Sequence, residues 1–247
     1  LGAVLGGDVS RSKSPAIHNA AFEAVRVAGT YGAFSVDDDG FRPLVRSLAD
    51  RGYRWVNVTI PHKLAAAEMA QKRAPAVDAS GAANTLVFRT DARGRLRIEA
   101  HNTDGAGILA ALADLGVKVR RGTKVVVVGA GGAAAGALLA LLEAGAETHV
   151  LARRPSAARA LARRMPAEPR ARVKAGAWTH RTLARALSNA DVLLSAVPAD
   201  AWASDEALAG LEGLPRGAVV SEMAYGATTP LARAVRARTA RYQDGLP

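Results

Sequence analysis

Cysteine is absent from the chain. Disulfides and thiolate-held metals are therefore excluded, and a reducing cytoplasm is the expected setting. Aromatic residues are scarce, 4% of the 247, too few for a platform on which bases stack. No unbroken apolar run reaches the ~20 residues that a membrane-spanning helix needs; Gly, Arg or Asp interrupts the longest. Residues 1–8 lack the basic start and apolar stretch of a secretory leader. Acidic residues are in deficit, 22 against 33 basic, for a formal charge of +11. Such a balance raises nucleic acid as a partner. The basic residues are mostly Arg, however, scattered through an Ala-rich chain, and their densest group, 153–164, falls on one predicted turn and helix. Solvated charge on a basic protein is the better reading, and neither nucleic acid nor a membrane is an expected partner.

What is present is a core and an alternation. Apolar residues make up 49% of the chain. Strands are predicted at 3–5, 31–36, 55–60, 84–89 and 96–100, the last two around a turn at 91–94. Helices are predicted at 15–27 with Ser14 as N-cap, at 41–51, from Pro61 to about Lys72, and at 104–115 with Thr103 as cap. Beyond them Lys124–Val128 holds four consecutive valines, which suits a central parallel strand buried on both faces. Gly132–Glu143 reads as a helix, Glu147–Ala152 as a strand and 155–165 as a helix, with further strands at 191–197 and 218–222. Regular alternation of this kind implies parallel strands with right-handed crossovers. The domain break is expected inside or just before the 104–115 helix.

Gly129, Gly131 and Ala134 form G-x-G-x-x-A between the valine strand and a helix. Gly129 permits the tight turn, Gly131 lets backbone approach a pyrophosphate, and the small Ala134 lets helix and sheet pack closely. The phosphates would meet free N–H groups at the helix N-terminus. At the end of the next strand, an NAD site places an acid for the ribose hydroxyls. Here the sequence is Leu151-Ala152-Arg153-Arg154. Two guanidiniums suit a 2′-phosphate, so NADP is expected over NAD; the plainer alternative is that both are solvated surface charges.

Four segments carry polar groups that folding does not demand: Ser12-Lys13-Ser14-Pro15, Asn57-Val58-Thr59-Ile60-Pro61-His62-Lys63, Gly81-Ala82-Ala83-Asn84-Thr85 and Asn102-Thr103-Asp104-Gly105. Each lies at the end of an element, where binding groups sit. Their hydroxyls, amides, one ammonium and one carboxylate suit a small polyhydroxylated acid. Together with GAGGAA at 129–134 and SEMAYGATTPL at 221–231, these motifs closely resemble the shikimate dehydrogenase family, over essentially all 247 residues. The resemblance implies an α/β protein of two domains. An N-terminal α/β substrate domain with a mainly parallel sheet covers about 1–103. A Rossmann-type NADP-binding domain covers about 104–247, and the cleft between the two is the expected site. The implied reaction is the reversible, NADP-dependent reduction of 3-dehydroshikimate to shikimate on the route to chorismate and the aromatic amino acids. The implied partner is that small molecule, with the chain a monomer or homodimer.

The resemblance further assigns Lys63 as the catalytic residue with Asp104 beside it, and Ser12 and Ser14 to the substrate carboxylate. Thr59, Asn84 and Tyr225 match other substrate contacts. Gly129, Ala130, Gly131, Gly132 and Ala133 match the phosphate loop, Arg153 and Arg154 the adenosine-phosphate segment, and Met223 and Gly245 the nicotinamide side. The chemistry agrees: hydride delivery to a ketone builds charge on its oxygen, which a positioned ammonium can stabilise and then protonate. Taken singly, Lys63 would read as a surface lysine and Asp104 as a helix-start charge; the whole motif set favours the catalytic roles. His62 is expected to be structural. His18 and His101 have no partners at metal-ligand spacing, so no metal is expected, and Trp55, Trp178 and Trp202 are expected to pack.

Some positions depart from the family pattern. Ala152-Arg153-Arg154 replaces the usual Asn-Arg-Thr, Ser195-Ala196-Val197 replaces Asn-Ala-Thr, and Glu222 replaces Asp before Met. The family also continues past the 244–246 turn into a helix that carries a substrate-binding Gln, whereas this sequence runs from Leu1 to Pro247. A trimmed chain is therefore expected, lacking that bond and exposing apolar surface on the first domain. Two alternatives remain open at this point: a quinate/shikimate dehydrogenase using NAD, and a non-catalytic NADP-binding regulatory relative. Intact Lys63 and Asp104 speak against the second.

Overall fold

The computed structural model describes residues 1–225, 228–238 and 241–245. Gly226 and Ala227 of the 221–231 motif, and Leu246 of the expected terminal turn, lie outside them. Contacts divide the chain into two units, Leu1–Thr103 and Asp104–Pro247.

The first unit runs β1 (Gly2–Gly6), α1 (Ser14–Ala24), β2 (Tyr31–Ser35), α2 (Asp38–Asp50), β3 (Trp55–Val58), α3 (Lys63–Met69), β4 (Lys72–Arg73), α4 (Pro75–Ser80), β5 (Thr85–Thr90) and β6 (Leu96–His101). Its sheet has the order β2-β1-β3-β5-β6-β4. Strand β1 is buried along its length because it pairs in parallel with β2 on one side and β3 on the other. The hairpin β5–β6 joins antiparallel to β3, its turn closed by Asp91, whose Oδ1 accepts from Arg93 N and Arg95 N, each at 2.9 Å. Phe41, Val45 and Leu48 recur at helical spacing and form the buried face of α2.

Local chemistry moves several boundaries from where the apolar pattern puts them. Helix α2 starts at Asp38 rather than 41, because Asp37 caps it by accepting from Gly40 N at 2.8 Å and two more acids follow in its first turn. Ser14 is the first residue of α1, not its N-cap; Lys13 holds that place and makes no side-chain cap bond. Pro61 does not open α3. It follows a cis peptide bond in a turn, and the helix begins at Lys63. Nor does α3 reach Lys72: Gln71 leaves it to bond Ile98 through both its backbone N–H and its side-chain oxygen, at 3.0 and 2.8 Å. This pairing starts β4 and leads into α4, neither of which the sequence pattern announces.

The second unit runs α5 (Asp104–Asp114), β7 (Lys124–Val128), α6 (Gly132–Glu143), β8 (Glu147–Ala152), α7 (Pro155–Arg164), α8 (Ala167–Arg170), β9 (Val173–Ala177), α9 (His180–Leu187), β10 (Val192–Ser195), α10 (Asp205–Ala209), β11 (Val219–Glu222), α11 (Pro230–Arg236) and β12 (Arg241–Gln243). The order β12-β11-β10-β7-β8-β9, parallel throughout, is that of a Rossmann sheet. The valines of β7 are buried at its centre. Trp178 packs against buried Trp202, with ring centroids 4.7 Å apart. Among the described residues no helix is long and apolar enough to cross a membrane.

Helix α6 buries residues on every side, since it lies between the sheet and α5. The crossing with α5 is tight: a Cβ at Gly105 would stand 2.6 Å from Ala140 Cβ and 2.8 Å from Gly136 O. Gly107, two residues on, has open space around it. Gly105→Ala should therefore destabilise the protein by roughly 1–3 kcal/mol through overpacking, while Gly107→Ala should stabilise it by roughly 0.5–1 kcal/mol through helix propensity. Urea unfolding of the two variants checks the contrast, and equal effects would refute the crossing.

Candidate active site

In an open parallel sheet, ligands gather at the carboxyl ends of the strands where the order reverses. In the first unit that place is the end of β1 and β3, since β2 lies on one side of β1 and β3 on the other. The loops leaving these strands are tied together: Gly7 N donates to Ile60 O at 2.9 Å and Thr59 N to Leu5 O at 2.8 Å. The methyl group of Thr59 fills the space where a Cβ on Gly6 would have to go. Ser12 follows β1, and its hydroxyl accepts from Ser14 N at 3.2 Å.

Lys63 opens α3 at this edge and is 9% exposed. Its carbonyl accepts from Ala83 N at 2.8 Å, which seats it next to Asn84. The amide of Asn84 is fixed in turn. Its Nδ2 donates to Thr103 Oγ1 at 2.9 Å, and its Oδ1 accepts from Thr103 N at 3.1 Å and Thr85 Oγ1 at 3.0 Å. Asn57, which the motifs contain but to which they assign no role, extends the network. It donates to Thr85 Oγ1 at 3.1 Å and accepts from Tyr31 OH at 2.6 Å; burial pushes the Tyr31 phenol above its ordinary range. His62 faces away from this chemistry. Its ring stacks on Phe41 with centroids 4.6 Å apart, Nε2 lies 2.8 Å from Val36 O, and Nδ1 lies 3.2 Å from the Asp38 carboxylate. It anchors the start of α3 to α2. Ser12, Ser14, Thr59, Lys63 and Asn84 thus all belong to the β1–β3–β5 edge of the first unit.

In the second unit the order reverses between β7 and β10. Gly129, at φ +123°, turns the chain off β7 so closely to β10 that a Cβ would lie 2.6 Å from Ala196 O. Gly131 is the N-cap of α6, has extended backbone, and faces open space. No side chain caps this helix, so the N–H groups from Gly132 onward are open to an anion. Ala130 and Ala133 complete the loop without obstructing it, and buried Ala134 lets α6 meet the sheet. Gly129 N donates to Leu151 O at 2.8 Å, so Arg153 and Arg154 follow directly beside the loop. Both are exposed, and neither side chain has a hydrogen-bond or ion-pair partner among the described residues. A dinucleotide with an additional phosphate fits this cradle. Ser195 makes no contribution to it, because its buried hydroxyl accepts from Trp202 Nε1 at 2.9 Å.

Met223, Tyr225 and Gly245 come together at the end of β11. Gly245 N donates to Ala224 O at 3.1 Å, and a Cβ at Gly245 would collide with Met223 O and stand 3.3 Å from the Tyr225 ring. Beneath them lies a device that no sequence window reveals. The wholly buried Glu222 accepts from Thr229 Oγ1 and Tyr242 OH at one oxygen, both at 2.6 Å. Burial, and then the bond to Glu222, pushes the Tyr242 phenol above its ordinary range. Thr229 also caps α11, accepting from Ala232 N at 3.0 Å. Asp104, the first residue of α5, lies on the helix that crosses α6.

Comparison with known proteins gives matches to both units. Residues 4–86 match the family model for the shikimate dehydrogenase substrate binding domain, and 118–211 match an NAD(P)-binding model. The NADP(+) shikimate dehydrogenase of Methanopyrus kandleri is 34% identical over 225 residues, covering 90% of this chain and 76% of that protein. That of Dinoroseobacter shibae is 32% identical, covering 100% and 86%. The crystal structure of Thermus thermophilus shikimate 5-dehydrogenase in complex with NADP(H) and shikimate matches with TM-score 0.81 and 31% identity, over 100% of this chain and 87% of that one.

The two loop glycines should separate under substitution. Gly131→Ala meets no atom and should leave thermal stability unchanged while weakening dinucleotide binding about tenfold, the equivalent of ~1.4 kcal/mol. Gly129→Ala should lower both, through its positive φ and its collision with Ala196. Thermal melts and dinucleotide titrations of both variants check this, and full affinity in Gly131→Ala would exclude the loop as the phosphate cradle.

Proposed function

The chain belongs to the shikimate dehydrogenase family, and on that premise we propose which of its residues carry out each part of the reaction. It is an NADP-dependent oxidoreductase that reversibly reduces 3-dehydroshikimate to shikimate. Bound NADPH supplies the hydride, and NADP+ takes it up in the reverse direction.

In this reading the unit Leu1–Thr103 holds the substrate and the unit Asp104–Pro247 holds the cofactor. Lys63 donates a proton to the carbonyl oxygen as charge grows there, and in the reverse direction its neutral amine takes the hydroxyl proton. Asp104 orients that ammonium. The hydroxyls of Ser12 and Ser14 bind the ring carboxylate, and Thr59, Asn84 and Tyr225 bind ring hydroxyls. The N–H groups of residues 129–133 hold the pyrophosphate, and Arg153 and Arg154 hold the 2′-phosphate. Met223 and Gly245 line the nicotinamide side. The carrying observation is the setting of Lys63: a 9% exposed lysine at a strand-end edge, bonded through its backbone to the segment that fixes Asn84. The partner is the small-molecule substrate, with no role for nucleic acid or membrane. The chain works as a monomer or homodimer in the cytoplasm.

Initial rates of shikimate oxidation test the assignment. Lys63→Ala should lower turnover by ~100-fold or more, the usual size of an acid–base effect, and leave NADP affinity intact. Near-normal turnover would overturn its role. Arg153→Ala should raise the KM for NADP well above any change for NAD; equal changes would remove the 2′-phosphate contact.

A further inference from the structure

Five cations from three stretches of chain surround a groove of about 700 Å³ in the second unit. Lys118, Arg120 and Arg121 precede β7, Arg216 precedes β11, and Arg241 begins β12. Among the described residues Asp191, ahead of β10, is the only carboxylate that lines it. Since these strands are parallel, their N-terminal ends share one edge of the sheet, and Gly129 and Arg153 lie at the opposite edge. The groove is therefore separate from the cofactor loop.

Local structure accounts for its shape. Gly116, Gly122 and Gly217 turn at φ +77°, +88° and +88°, which folds the loops back around the opening. Arg241 joins two of these loops by donating to Leu115 O at 2.6 Å and Gly217 O at 3.5 Å. Thr123 Oγ1 accepts from Arg120 N at 3.0 Å and fixes the turn into β7. The carboxylate of Asp191 is partly engaged, since its Oδ2 accepts from Lys124 N at 2.8 Å.

The cations themselves are left over. The side chains of Lys118, Arg120, Arg121 and Arg216 have no hydrogen-bond or ion-pair partner among the described residues. A helix C-terminus attracts cations, and α5 ends here, but of these five cations Arg241 alone has a side-chain bond near that end among the described residues, to Leu115 O. Helix ends thus do not explain the other four. Like charges held around one concavity raise its potential and concentrate anions, and arginines bind phosphate in bidentate fashion. The volume lies within the ~300–1,000 Å³ of small-molecule sites.

We propose that this groove binds an oligophosphate, a short chain of linked phosphates. Inorganic tripolyphosphate and the triphosphate tail of a nucleotide share that chemistry. The test titrates tripolyphosphate, and ATP in parallel, into protein saturated with NADP at about 100 mM salt, a regime that suppresses diffuse binding. One saturable site is expected. Affinity should fall at least about tenfold in the Arg120→Ala/Arg216→Ala double variant, with the KM for NADP unchanged. Equal affinities would identify the phosphate chain alone as the ligand; tighter ATP binding would identify the nucleotide. If the double variant loses its thermal transition, Arg216→Gln alone carries the test, with a loss of about threefold. The proposal is overturned by the absence of saturation at about 10 mM ligand, by unchanged affinity in the folded variant, or by tighter binding of duplex DNA at the same salt, which would make the patch a nucleic-acid surface.

Discussion

Helices α5 and α6 approach so closely that residue 105 has room for a hydrogen atom where a side chain would begin. The backbones themselves therefore set the spacing, with no flexible side chain to absorb error. Much of the second unit follows from that contact. Asp104 stands at the start of one helix, and the phosphate loop stands at the start of the other. The residue proposed as the partner of Lys63 and the loop proposed for the cofactor are thus built on one helix pair. The same crossing gives the glycine of Asn102-Thr103-Asp104-Gly105 a packing reason beside the polar ones of its neighbours.

Where structure is decided locally, the sequence is legible to the residue. The valine run of β7 and the small residues of α6 read correctly, because a strand flanked on both sides and a helix buried all round need apolar residues at nearly every position. Edge strands carry no such requirement. Strand β9, Val-Lys-Ala-Gly-Ala, and β12, Arg-Tyr-Gln, have too little apolar pattern to announce themselves. Helix starts follow caps rather than periodicity, as Asp37 shows. The candidate site divides the same way. Lys63 and Asn84 sit in motifs that can be read in line. The bond from Asn57 to Tyr31, and those joining Glu222 to Thr229 and Tyr242, link residues distant in the chain and appear only when it is folded.

Both sheets use the same topological rule with different chemistry. The first unit presents side-chain hydroxyls and amides already bonded to one another, which holds their directions in advance of any ligand. The second presents bare backbone N–H groups, and the small side chains of its loop leave room for an anion. A sugar-like ring needs directional partners, each placed separately. A phosphate chain needs a concentrated positive field that main chain alone can supply.

The Glu222 cluster bears on how this sequence can drift. Its carboxyl group is wholly buried, and its two donors come from a helix cap and an edge strand. Loss of either hydroxyl takes one of two donors from a buried carboxylate oxygen, while replacing the acid alone takes the acceptor from two hydroxyls. Single changes at 222, 229 or 242 are therefore each worse than matched changes, and their effects will not add. The three positions form one unit of inheritance: a lineage crosses from this arrangement to another by compensated pairs, and a residue grafted singly from a relative inherits a neighbourhood built for something else.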